Sequence, residues 1–173
     1  MTTEKILINK VAQKAVVTLD LENYFPKEEE VMLIDMKDFL FKGLILREAD
    51  FREQVKNTVW SNFQNKYVGI CCSTDAIIPF WAYMIVTAEL TPFAKCIASG
   101  ALDKLPELFL QYNLGLIDLE NFENQRVIIK GCGDKKIDSS SYVFIAQKLA
   151  QKARSIMYGE PCSTVPVYKK EVQ

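Results

Sequence analysis

The sequence predicts an α/β domain: a mainly parallel sheet with helices on both faces, and an N-terminal α+β portion packed on it. Three observations lead there. From residue 66 onward, short apolar or β-branched runs alternate with stretches of helical spacing, and such alternation implies right-handed crossover units and parallel neighbours. A chain of 173 residues suffices for one buried core and is short for two. Hydrophobic residues at 49% and charged residues at 25% are ordinary globular values. The expected organisation is one domain over residues 1–173, with the α+β portion in 1–65 and the alternating core in 66–173.

Taken in order, Val16-Val17-Thr18-Leu19-Asp20-Leu21 is β-branched early and reads as a strand that leads to a turn at Pro26. Glu28-Glu29-Glu30 is a solvated turn or helix start. Between Met32 and Leu46 the apolar residues cluster without period-2 alternation, which predicts a helix, with room for a short strand ahead of it. Phe51 and Val55 stand at i, i+4 among good helix formers and mark a core-facing stripe, with Trp60 and Phe63 as packing residues.

Tyr67 to Cys71 is a strand by its apolar run. Ser73-Thr74-Asp75 supplies cap candidates for a helix through Phe80–Leu90 with Pro79 in its first turn, and the apolar character of that helix on nearly every side predicts burial. Lys95–Ala98 reads as a strand and Asp103–Asn113 as a helix with Pro106 in its first turn. Arg126–Lys130 is the next strand, Asp138 to Ser141 caps a helix from Tyr142 to about Ala153, and Ser155–Tyr158 is the last strand. The glycine and two prolines between Gly159 and Pro166 predict an ordered irregular tail.

Charge and composition exclude several classes. Lys plus Arg at 21 against Asp plus Glu at 22 gives a net charge of -1, which offers nucleic acid no phosphate-binding surface. The first ten residues lack a secretory signal, and the longest uncharged stretch, Ala76–Ala88, falls short of the roughly 20 residues that cross a bilayer. A cytoplasmic protein with no membrane partner is expected. Five cysteines then read as reduced thiols, metal ligands or reactive sulfur rather than as a disulfide framework. Histidine is absent, which removes Ser-His-Asp and Cys-His nucleophiles, two-histidine zinc sites and the usual proton shuttle at neutral pH.

The candidate site centres on Arg126–Lys135, where the β-branched run Val127-Ile128-Ile129 stops at Gly131-Cys132-Gly133. Glycines on both sides of a thiol leave room for a ligand, a metal or a second loop to approach the backbone. Cys72 and Cys162 also follow strand-like runs, and if those runs are parallel neighbours the three thiols share one edge of one sheet, where ligands of such sheets bind. Cys96 falls inside its strand and reads as a buried apolar residue.

Three chemistries compete. Cys72, Cys132 and Cys162 could hold zinc or an iron-sulfur cluster, completed by Asp75, Asp134 or water, because soft thiolate suits both. Cys132 or Cys162 could be the nucleophile of a hydrolase or sulfur transferase, activated by a helix N-terminus or by Lys135. The thiols could also be plain buried residues of a structural or adaptor protein. A phosphatase loop is absent, since no arginine stands six residues after any of Cys71, Cys72, Cys132 or Cys162. No nucleotide is expected either, because position 136 is Lys136 where a dinucleotide fingerprint needs its third glycine.

Cys72-Ser73-Thr74-Asp75-Ala76-Ile77-Ile78-Pro79 with Trp81-Ala82-Tyr83, Gly131-Cys132-Gly133-Asp134-Lys135, and Tyr158-Gly159-Glu160-Pro161-Cys162-Ser163-Thr164-Val165-Pro166 together resemble one family. It is the domain of unknown function 2480 family, found chiefly in Bacteroidetes, and the likeness extends over nearly the whole chain. The resemblance supplies no activity. It implies that the family's motif cysteines correspond to Cys72, Cys132 and Cys162, and it implies a genomic setting near iron-sulfur cluster assembly, so that assembly proteins become expected partners. Homo-oligomerisation is left open.

Overall fold

The computed structural model describes residues 16–131, 133–160 and 162–171. Strands and α-helices follow one another as β1 (Val16–Leu19), β2 (Val31–Asp35), α1 (Glu48–Asn57), β3 (Tyr67–Cys71), α2 (Phe80–Leu90), β4 (Cys96–Ser99), α3 (Leu105–Gly115), β5 (Arg126–Ile129), α4 (Ser139–Leu149), β6 (Ser155–Glu160) and β7 (Ser163–Lys169). The fold is mixed α/β and mostly parallel, as the alternation predicts, and its strands are shared between two sheets. One has the order β1-β5-β6-β7 and the other β2-β3-β4. Among the named strands, every pairing is parallel except that of β6 with β7.

The chain divides in the same way into two compact units. A split unit joins the residues up to Tyr24 with those from Leu116 onward, and a central unit spans Phe25–Gly115. Residue 65, where the sequence changes character, falls inside the central unit.

In the central unit, all five residues of the middle strand β3 are buried. Strand periodicity puts Val68 and Ile70 on one face and Tyr67 and Gly69 on the other. Val68 and Ile70 pack with Phe51 and Val55 of α1 and with Ala82, Val86 and Leu90 of α2. Tyr67 packs with Cys96 and with Leu105 and Phe109 of α3. Helices therefore cover both faces of this sheet. In the split unit, Val127, Ile129 and Ile156 are buried together with Ile145 and Leu149 of α4, and Asp138 caps that helix by accepting the Ser140 N–H at 2.9 Å.

Four sequence expectations are corrected. Residues 32–46 form no α-helix: Val31–Asp35 pairs along β3, a 3-10 turn follows over Met36–Phe39, and Lys42 and Gly43 then take positive φ values of 51° and 69°. That tight turn, closed by Phe41 N donating to Ile45 O at 2.8 Å, cannot continue a helix. Ser73-Thr74-Asp75 does not cap α2, because the helix begins only at Phe80 and Pro79 stands at the cap position without a side-chain bond. Burial of α2 is one-sided: Ala82, Val86 and Leu90 face the core, whereas Phe80 is 87% and Met84 70% exposed. The tail after Gly159 is not irregular, since Ser163–Lys169 folds back on β6 as β7. Among the described residues no helix is long and apolar enough to cross a membrane.

Candidate functional site

The three chosen cysteines do follow strand ends, but of two different sheets. Cys72 comes directly after β3 of the three-stranded sheet, while the segments holding Cys132 and Cys162 follow β5 and β6 of the four-stranded one. The expectation of a single shared sheet edge is thereby corrected, because β3 finds its partners in β2 and β4. Cys132 itself lies outside the described residues, whereas its neighbours Gly131 and Gly133 lie within them.

At the end of β3, the pairing of Asp35 with Cys71 brings the last residue of β2 beside the thiols. Asp35 Oδ1 accepts the backbone N–H groups of Ser73 and Lys37, each at 3.0 Å, and Oδ2 lies 3.2 Å from Lys37 Nζ. Burial pushes the Asp35 carboxyl up, and the hydrogen bonds from Ser73 and Lys37 outweigh it and hold the pKa at about 2. Cys72 Sγ donates to Thr74 O at 3.4 Å. Burial, followed by the nearby charges of Asp35 and Cys72, raises the Cys71 thiol, so Cys71 is a protonated core residue at neutral pH. Burial first, then Cys72 and Cys71, raises the Tyr83 hydroxyl as well. Asp75 is exposed in the loop that follows.

At the ends of β1, β5 and β6 the arrangement is different. Lys130 Nζ meets Asp20 Oδ2 at 2.9 Å; this hydrogen bond holds the Asp20 carboxyl below its usual range and Lys130 above its own, with Glu160 and Glu22 adding further negative charge around the ammonium. Glu22 reaches into the cysteine loop and accepts the Lys135 N–H. A Cβ on Gly133 would overlap the Glu22 carboxylate, and a Cβ on Gly131 would lie 2.7 Å from the Tyr158 ring, whose hydroxyl donates to Gly131 O at 3.2 Å. The room left by the two glycines is thus taken by side chains of this same unit, which clamp the backbone on either side of Cys132.

Adjacent parallel strands feed the two cysteine loops. Ile129 is opposite Tyr158, so Cys132 comes three residues after the end of β5, and Cys162 sits at the tip of the β6–β7 hairpin, where it is exposed. At the end of β6, Glu160 Oε1 is buried without a hydrogen-bond partner among the described residues. Asp134 is exposed in the loop. Among the described residues, no three His, Cys, Asp or Glu side chains are grouped closely enough to hold a metal ion.

Cys96 is buried, and burial pushes its thiol up to about 11, in keeping with a core role. Reasoning from sequence missed Asp35, Asp20, Glu22 and Glu160. The last of these had a signal: a carboxylate between Gly159 and Pro161 in the same stretch as Cys162. The others act across long sequence separations and leave no local trace.

A family model described as "Protein of unknown function (DUF2480)" matches residues 5–170. No curated protein and no solved structure matches the chain.

Proposed function

The chain belongs to the DUF2480 family, a family of unknown function, and we propose that it is a cytoplasmic accessory protein holding a thiophilic metal or iron-sulfur species on the loops after β5 and β6. The observation that carries this reading is Glu160 Oε1, buried without a hydrogen-bond partner among the described residues, at the end of the strand that leads into the Cys162 hairpin and runs parallel to the strand before Cys132. A buried carboxylate oxygen without a donor is costly, and a cation is the partner that would offset it.

Cys132 and Cys162 would supply soft sulfur, with Glu160 or Asp134 as oxygen donor, a set that suits zinc and tolerates an iron-sulfur species. Cys72 and Asp75 are not needed to complete this set, and the Cys72 thiol donates to Thr74 O. The genomic setting implied by the family resemblance makes an iron-sulfur assembly protein the natural partner.

The test is elemental analysis of protein isolated without oxygen, before and after reconstitution with zinc or iron. Near-stoichiometric metal, lost in Cys132→Ser and Cys162→Ser and kept in Cys72→Ser, is expected. Near-zero zinc and iron in both samples would remove the proposal. Rapid alkylation of metal-free Cys162 near neutral pH would then favour a thiol enzyme.

A further inference from the structure

Away from the cysteine loops, at the opposite ends of β5 and β6, the split unit contains a cavity of about 300 Å³ lined by Arg126, Arg154, Ser155, Ile156, Met157, Pro166, Tyr168 and Lys169. The backbone explains why it opens there. In the β6–β7 ladder Ile156 is opposite Tyr168 while Met157 is opposite Pro166, so Val167 has no partner and the register slips by one residue. Pro166 has no N–H to give to the ladder, which places the break at this point. A bulge of this kind bends its strand and re-aims the neighbouring side chains.

The lining has two characters. Arg126 on β5 and Lys169 on β7 are both opposite Ser155 on β6, so the three side chains stand in one row across the sheet, with the two cations roughly 10 Å apart at the backbone. Arg154 precedes Ser155 and is fixed by its own backbone, donating to Gln125 O at 2.8 Å and accepting from Lys170 N at 2.9 Å. Three basic residues therefore line one concavity, and among the described residues none of them has an ion-pair partner. Ile156, Met157, Pro166 and the Tyr168 ring form the rest of the wall.

From this we infer that the cavity binds a small organic oxyanion with an apolar body, a phosphate ester or carboxylate whose charged group is held by Arg126, Arg154 and Lys169. Like charges around one cavity repel one another, and an oxyanion relieves that repulsion while matching the planar donor fork of arginine. The apolar wall distinguishes such a ligand from inorganic phosphate, which would gain nothing from Met157 or Tyr168. The volume lies at the lower end of the small-molecule range, which suits a single compact molecule and not a polymer. The inference is independent of the cysteine loops, because it uses none of their residues.

The experiment is calorimetric titration of the full chain with phenyl phosphate, benzoate, inorganic phosphate and benzyl alcohol. Phenyl phosphate or benzoate is expected to bind at least tenfold more tightly than inorganic phosphate, with no binding of benzyl alcohol; which of the two is tighter identifies the charged group. Arg126→Gln with Arg154→Gln should abolish binding, and Lys169→Gln, an exposed site whose loss leaves folding intact, should weaken it several-fold. Equal affinity for inorganic and phenyl phosphate overturns the apolar half of the assignment. Failure of both aromatic anions to bind, or unchanged affinity in the Lys169→Gln and double variants, overturns it altogether.

Discussion

The end of β3 and the ends of β5 and β6 are the same architectural place in two sheets, and they are satisfied by different means. At β3, one carboxylate, Asp35, acts as a backbone cap: it ties Ser73 and Lys37 by their N–H groups, and the Cys72 thiol closes on Thr74. At β5 and β6, Asp20 pairs with the Lys130 ammonium while Glu160 and Glu22 add negative charge, Glu22 holds a glycine loop, and one oxygen of Glu160 is buried without a donor among the described residues. Among the described residues, the first end leaves no buried side-chain acceptor without a donor, and the second leaves one. Binding chemistry belongs where satisfaction is incomplete, since an unmet buried acceptor costs on the order of 1–3 kcal/mol until something meets it.

The largest expected effect tests the clamp around Cys132. Gly133→Val would push the Glu22 carboxylate aside and break its bond with the Lys135 N–H, and should destabilise the protein by about 1–2 kcal/mol, read from its urea midpoint. Glu22→Gly in the same chain should add little further loss, because the bond it removes is already broken. If the double variant is as unstable as the sum of the singles, Glu22 is not what fills the space beside Gly133.

The next effect separates the two ends by pH and salt. The Asp35 carboxyl is depressed to about 2 from its ordinary 3.8, so its contribution is fully present above about pH 4 and lost as pH falls through 2. Asp35→Asn should cost about 1–2 kcal/mol at neutral pH and flatten that part of the acid limb. Asp20 is also depressed, chiefly by its hydrogen bond with Lys130, and its contribution too is lost on acidification. Molar salt should weaken the half-buried Asp20–Lys130 pair and leave the Asp35 cap, which relies largely on backbone N–H groups, almost unchanged. Equal salt sensitivity in Asp20→Asn and Asp35→Asn backgrounds would erase the distinction.

The contrast was only half legible in the sequence. Tyr67–Cys71 and Arg126–Ile129 are recognisable as strands because their apolar and β-branched runs are short, dense and bounded by turn residues. Their distribution over two sheets is not, because β1 chooses β5 as its partner from the far end of the chain and no local pattern encodes that choice. Residues 32–46 show the same limit, since a short apolar cluster fits helix or strand until its neighbour decides, and here the parallel register with β3 decided for Val31–Asp35. The pair Gly131 and Gly133 announced a close approach correctly, yet the approaching groups, Tyr158 and Glu22, could be identified only once the chain was folded.

The smallest expected effect bears most directly on function. Glu160→Gln keeps the shape of the side chain and removes its charge. Were that carboxylate satisfied within the protein, as Asp35 is, neutralising it would cost a charge-assisted bond and on the order of 2 kcal/mol. Its buried oxygen has no donor among the described residues, and its charge is one of several acting on Lys130, so metal-free Glu160→Gln should match the parent within about 1 kcal/mol. The same substitution should lower zinc or iron loading measurably, since it removes an anionic oxygen from beside Cys162. Stability that is unmoved while loading falls is the signature of a group kept for a ligand; a large loss of stability with loading unchanged would make Glu160 a structural residue and return the β6 end to the same class as β3.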